Sequence, residues 1–162
     1  MEAESARTHK TGLWVGAVVT AAAAIFFPRV QGIREDGDSW WRLATFLVPQ
    51  DREGLLLVPL VILITIALFA LVGRLAWADP GARNRPATVG FVCALLGFVG
   101  VLAFFLSAPI ILGGLGVTLG VEGWRRRGAE GRGALAAAAI VVGAAAFAVG
   151  ASIWVFAEEL SI

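Results

Sequence analysis

Residues 54–77 read GLLLVPLVILITIALFALVGRLAW, a run of 24 residues with a single charged side chain. An α-helix needs about 20 mainly apolar residues to cross the roughly 30 Å hydrocarbon core of a bilayer. This run is therefore long enough to span a membrane. Four more apolar segments surround it, and the five together hold 100 of the 162 residues; the other four are 12–27, 88–107, 109–124 and 133–156.

The overall composition agrees with a membrane protein. Hydrophobic residues make up 59% of the chain and charged residues 15%, with a mean hydropathy of +0.84. Soluble domains usually carry about 25% charged residues. The pieces between the apolar segments hold at most 26 residues, and chains below about 40 residues rarely fold unaided. The sequence predicts an all-α, polytopic transmembrane helix bundle without a soluble domain.

The number of crossings depends on residues 88–124, which are either one long tilted helix or a hairpin that turns near Pro109. Arginine and lysine concentrate on the cytoplasmic side of membrane proteins. With a hairpin and a cytoplasmic N-terminus, nine basic residues lie inside and four outside, whereas one long helix gives five and eight. The distribution favours five crossings with the C-terminus outside, and four crossings remain the alternative.

The chain divides into an N-terminal two-span region, 1–87, and a Gly/Ala-rich helical unit, 88–162. The outer loop of the first region, 28–53, contains the one amphipathic stretch, where Trp40, Trp41 and Leu47 share a face of a short helix that Asp38 can cap. We expect this helix to lie flat at the outer interface. It is either a loop anchor or a docking surface for a partner.

Small residues recur at helical spacing in the last three segments. The fourth segment places glycines 3, 4 and 3 residues apart, which aligns them on one side of a helix. Because lipid supplies no hydrophobic drive between helices, small residues that allow close approach favour association. Chance in a glycine-rich chain is the alternative, and packing within one chain or between chains remains open. The predicted packing residues are Gly90, Gly97, Gly113, Gly116, Gly120, Gly123, Gly143 and Gly150.

Residues 89–156 resemble a family of small, glycine-rich bacterial membrane domains of unknown function. The resemblance is carried by ALLG at 94–97, a break at Pro109, and LG at 119–120 leading to RRR at 125–127. A GRG turn at 131–133 and AIVVG at 139–143 complete it. It covers under half of the chain. The resemblance implies an architecture only, and it assigns no functional residue.

Groups able to do chemistry are scarce. One cysteine and one histidine exclude a disulfide framework and a Cys/His metal cluster. His9 lies in a polar tail, and Cys93 is predicted to be a small apolar filler in its helix. Glu122 lies about one turn from a helix end, where it can extend toward the headgroups and pair with Arg125 and Arg126. We predict no catalytic, cofactor or metal site.

The basic run at the end of the fourth segment has two interpretations. Arg125, Arg126, Arg127 and Arg132 serve as a topology signal, or they bind anionic lipid headgroups, at about 1 kcal/mol per residue near the surface. The net charge of +1 provides no field for attracting nucleic acid.

Abundant packing residues combined with missing chemistry indicate a non-enzymatic accessory or scaffold subunit. Its expected partners are membrane lipids and other integral membrane proteins, or further copies of itself. A small self-associating channel or carrier is the alternative, and a lipid-modifying enzyme is a weaker one. Twelve arginines against one lysine indicate a high-GC bacterial source, so the expected location is a bacterial plasma membrane.

Overall fold

The computed structural model describes residues 2–35, 52–77, 84–101, 107–126 and 132–156, with the side chains of 11–27, 58–77 and the last three ranges except residue 154. Its elements within these ranges are all α-helices, which confirms the all-α fold class. They are α1 (Glu2–Glu35), α2 (Arg52–Trp77), α3 (Arg85–Val99), α4 (Ala108–Arg125) and α5 (Gly133–Phe156).

The predicted outer loop begins too early. The sequence analysis placed its start at residue 28, whereas α1 continues to Glu35. The apolar run ends at Phe27. Polar residues end the part of the chain that is compatible with lipid, but the helix continues through them. The predicted interfacial helix, with Trp40, Trp41 and Leu47, lies outside the described residues.

Prolines mark the starts of α3 and α4. Each helix has a proline, Pro86 or Pro109, within its first two positions, where a missing N–H removes no helical hydrogen bond. The preceding residues, Asn84 and Ser107, are left-handed, with φ of 33° and 54°. Neither of them caps its helix through its side chain.

The α3 and α4 helices form an antiparallel hairpin. Near one end of the pair, Ala87 contacts Gly123, and farther along Ala94 contacts Gly116 and Gly97 contacts Gly113. Residue numbers therefore rise on one helix as they fall on the other. The alternative of one long helix through residues 88–124 is wrong.

The α5 helix packs antiparallel to α4 on its neighbouring side. Gly143 contacts Gly113, and Gly150 contacts Pro109 and Ile110 at the other end of the interface. Since α3 also packs on α5, these three helices form one close-packed unit with small side chains at its centre. Fully buried alanines in it include Ala87, Ala94, Ala136, Ala139 and Ala146.

The α1 helix covers a further side of α4, and α2 packs outside α1. Ser107 Oγ donates a hydrogen bond to the Ala24 carbonyl at 3.2 Å, at the end where α4 begins. Leu13 of α1 contacts Gly73 of α2, and Phe69 of α2 is fully buried in a cluster with Leu115 of α4. The directions of the five helices thus alternate along the chain, with α4 at the centre.

Two helices are long and apolar enough to cross a membrane, at Val58–Trp77 of α2 and Gly133–Ile153 of α5. The other apolar stretches identified, Thr11–Phe27 and Arg85–Val99, are shorter. The third predicted segment ran to residue 107, but α3 ends at Val99. The prediction of five crossings therefore exceeds what helix length and composition support.

Candidate functional site

The eight predicted glycines all lie where two helices meet. Gly116 and Gly123 of α4 face α3, where a Cβ atom built on Gly123 would lie 2.7 Å from Ala87 Cβ and 2.8 Å from Ala87 Cα. Gly113 and Gly120 face α5, and a Cβ on Gly113 would lie 2.7 Å from the Gly143 carbonyl oxygen. The glycine side of α4 thus sits in the groove between α3 and α5.

The sequence left open whether the glycines pack within one chain or between chains. Gly90 and Gly97 approach α4 from α3, while Gly143 and Gly150 approach it from α5. All of the contacts are within one chain. The glycine surfaces therefore form the contacts between these helices and are covered in the folded chain.

A second set of close contacts, between α1 and α4, was missed by the sequence analysis. Thr118 of α4 occupies the space beside Gly16 of α1, and Thr20 of α1 occupies the space beside Gly114 of α4. The Thr118 hydroxyl donates to the Gly114 carbonyl at 2.8 Å. The signal was present as Gly/Thr pairs four residues apart on each helix, which the search for glycine and alanine alone overlooked.

The charged side chains that the structure describes gather at one end of the bundle, here called the arginine end. The alternating helix directions bring together the end of α2, the start of α3, the end of α4 and the start of α5. Of the charged groups there, five are arginines and one is a carboxylate. They are Arg74, Arg85, Glu122, Arg125, Arg126 and Arg132. Arg127 lies outside the described residues.

Glu122 is the buried member of the arginine end. It is only 6% exposed, so it does not extend toward the headgroups as the sequence analysis expected. Arg126 Nε lies 3.0 Å from its carboxylate and Arg125 Nη1 lies 3.9 Å from it, which matches the predicted pairing. The Arg126 guanidinium also stands 5.9 Å from the centre of the Trp77 ring, which is cation–π distance.

Two hydrogen bonds fasten neighbouring helices at this end. Asn84 Nδ2 donates to the Gly123 carbonyl at 2.8 Å, which joins the start of α3 to the end of α4. Arg132 Nη1 donates to Thr88 Oγ1 at 2.8 Å, which joins the start of α5 to the first turn of α3. The start of α5 is therefore held against the start of α3.

The described residues contain no group of three or more His, Cys, Asp or Glu side chains able to hold a metal ion. Cys93 is buried within α3 and belongs to an apolar cluster with Leu115 and Leu119. The only concentration of polar chemistry that we identify among the described side chains is thus the arginine end.

The outward surface of the bundle is uneven in side-chain size. The α2 and α3 helices expose large side chains, among them Leu63 at 65% and Val99 at 65%. Around Val141, by contrast, α5 exposes mainly small ones. The exposed small residues near Val141 are here called the α5 outer face; they are Ala144, Ala145, Ala148 and Ser152.

Within the described residues, the fold and the site form a bundle of α-helices whose described charged side chains lie at one end. Comparison of the chain with protein-family models, with curated proteins and with solved structures found no match. The resemblance of residues 89–156 to a bacterial membrane-domain family therefore stays a prediction.

Proposed function

We propose that this chain is a non-enzymatic, multi-pass protein of a bacterial plasma membrane that acts as an accessory or scaffold subunit. Membrane insertion is supported by the apolar outer surface. Val18 is 68% exposed, and Leu63 and Val99 are each 65% exposed. Soluble monomers rarely expose large contiguous apolar areas, whereas apolar side chains are favourable where a protein surface faces lipid.

The arginine end supports the proposed orientation. Basic residues mark the cytoplasmic side of membrane proteins, and tryptophans concentrate at the membrane interfaces. Trp14 and Trp124, near this end, are 47% and 40% exposed. The arginine end and the start of α1 would then lie in the cytoplasm, and the end of α5 outside.

The α5 outer face is the observation that carries the accessory role. The glycine surfaces are occupied within the chain, so they cannot receive a partner. Ala144, Ala148 and Ser152 follow one another at four-residue spacing on the open side of α5, and small residues at that spacing let a second helix approach closely in lipid. The proposed occupant is a transmembrane helix of another membrane protein.

The channel alternative receives less support. A water path lined by glycine backbones needs those backbones uncovered, but Cβ atoms on Gly113 and Gly120 would lie within about 3 Å of α5 backbone atoms. The described helices leave no room for water along this line.

Paired substitutions test the accessory role. Ala148→Leu replaces a small residue of the α5 outer face, and Ala67→Leu makes the same change at an exposed position on α2. Purified in mild detergent, the wild type and Ala67→Leu should retain a co-purifying membrane protein that Ala148→Leu loses, with equal thermal stability in all three. A wild-type particle holding this chain alone as a monomer would refute the proposal. A ring of identical subunits around a water path would favour the channel.

A further inference from the structure

We propose that Arg85, Thr88 and Arg132 form a binding site for the phosphate of an anionic phospholipid, at the place where α3 and α5 begin. This inference rests on the proposed membrane location and is independent of the accessory role. It concerns a different face of the molecule from the α5 outer face.

The three residues lie at one corner of the bundle. Arg132 Nη1 donates to Thr88 Oγ1 at 2.8 Å, so the guanidinium lies against the first turn of α3. Arg85 lies three residues before Thr88, and residues at that spacing are neighbours on a helix surface. Arg85 therefore lies at the same corner of the bundle as the hydrogen-bonded pair of Arg132 and Thr88.

The charge at this corner is not compensated by carboxylates that the structure describes. Glu122 is buried, and its ion pairs are with Arg125 and Arg126. Arg85 and Arg132 pair with none of the described acidic side chains. The parallel helices α3 and α5 both begin here, and helix N-termini add partial positive charge. The corner therefore favours a phosphate, which guanidinium groups can bind in a bidentate way.

The adjacent surface indicates that the phosphate belongs to a lipid. Beyond the first turn of α3, the outward side chains are apolar and include Val92 at 48% and Leu96 at 53% exposed. A phospholipid whose phosphate is bound at the corner would have its acyl chains lying along these side chains. A free phosphate ion would not contact them.

Native mass spectrometry of the full chain in detergent tests the site with three probes: phosphatidylglycerol, zwitterionic phosphatidylcholine and inorganic phosphate. We expect phosphatidylglycerol to bind in preference to phosphatidylcholine, and inorganic phosphate not to displace it. An arginine beside a bound anionic headgroup contributes about five-fold to its binding, so Arg85→Gln with Arg132→Gln should weaken binding at this site about 25-fold. Arg74→Gln, at the same end but on α2, is the matched control and should leave it unchanged.

Equal binding of the two lipids, displacement by phosphate, or an equal loss in Arg74→Gln would each overturn the site. Thermal unfolding shows whether the double variant is folded. If it is not, Thr88→Val decides, because it keeps both charges and removes the acceptor that positions Arg132; unchanged lipid preference in that variant contradicts the proposal. Retention of a co-purifying protein is scored separately, so failure here leaves the accessory role unaffected.

Discussion

Glu122 and Gly123 are adjacent in α4 and have different structural roles at the same end of the bundle. Burying a carboxylate is unfavourable unless a cation and hydrogen bonds accompany it, and Arg126 provides both at 3.0 Å. Gly123 lets the start of α3 come so near that Asn84 Nδ2 reaches the Gly123 carbonyl. The pairing of Glu122 was predictable from its i,i+3 and i,i+4 spacing, whereas its burial was not, because burial depends on how the other helices pack around α4.

At the residue scale, Gly123→Ala is predicted to destabilise the protein. The new methyl group would lie 2.7–2.8 Å from Ala87 atoms that include its Cα and N, so the helix backbones must separate. Overpacking of this kind typically costs about 1–3 kcal/mol. The measurement is thermal unfolding of the purified protein in detergent.

Gly100→Ala is the matched control. A Cβ atom on Gly100 would lie 3.6 Å from Ala108 Cβ, which is ordinary contact, and its φ of −65° suits any residue. The melting temperature should be unchanged or slightly raised. Equal destabilisation by the two substitutions would contradict the close approach of α3 and α4.

The five helices were predictable to different degrees, for a physical reason. The bounds of α5 were predicted to the residue, because an apolar run of 24 residues starts after a glycine–arginine turn. The end of the third segment was predicted eight residues too late, and α1 was predicted too short. Hydropathy measures compatibility with lipid, while helix ends depend on backbone hydrogen bonds and tertiary contacts.

The α1–α4 interface is the element-scale contact that pattern searching did not reveal. Thr20 fits beside Gly114 and Thr118 fits beside Gly16, so each helix supplies one threonine and one glycine. A search for repeated small residues finds surfaces in which both sides are small. It misses an interface in which a β-branched side chain fills the space left by a glycine.

At the element scale, Gly114→Leu is predicted to loosen α1 from α4. A large side chain at this position occupies the space that Thr20 fills. Hydrogen exchange should become faster in the amides of α1 near Thr20, while the amides of α5 stay protected. The control is Val18→Leu, at a position 68% exposed on α1, which should leave exchange unchanged. Uniformly faster exchange across all helices in Gly114→Leu would contradict a local effect.

At the scale of the whole molecule, alternating helix directions bring the charged side chains that the structure describes to one end of the bundle. The positive-inside comparison favoured a hairpin at residues 88–124, and separate antiparallel α3 and α4 agree with that choice. The sequence could give the arginine count on each side. It could not show that Arg132 reaches Thr88, because that contact joins residues 44 positions apart.

The predicted orientation of the molecule can be checked by cysteine labelling in intact cells, in a Cys93→Ala background. Position 129 follows α4 and position 160 follows α5 in the sequence, and α5 runs from the arginine end to the opposite end. Ala129→Cys should react only with reagents that reach the cytoplasm, and Leu160→Cys with impermeant reagents from outside. Labelling of both positions from the same side would rule out a membrane-spanning α5.

The central position of α4 has a consequence for biosynthesis. Although the other four helices all contact it, α4 is not among the stretches long and apolar enough to cross a membrane by themselves, since it carries Glu122, Arg125 and many glycines. A nascent segment of this kind partitions weakly into lipid when it leaves the translocon alone. We therefore expect α4 to insert together with the preceding α3, whose alanines and glycines cover its polar backbone before α5 has been synthesised.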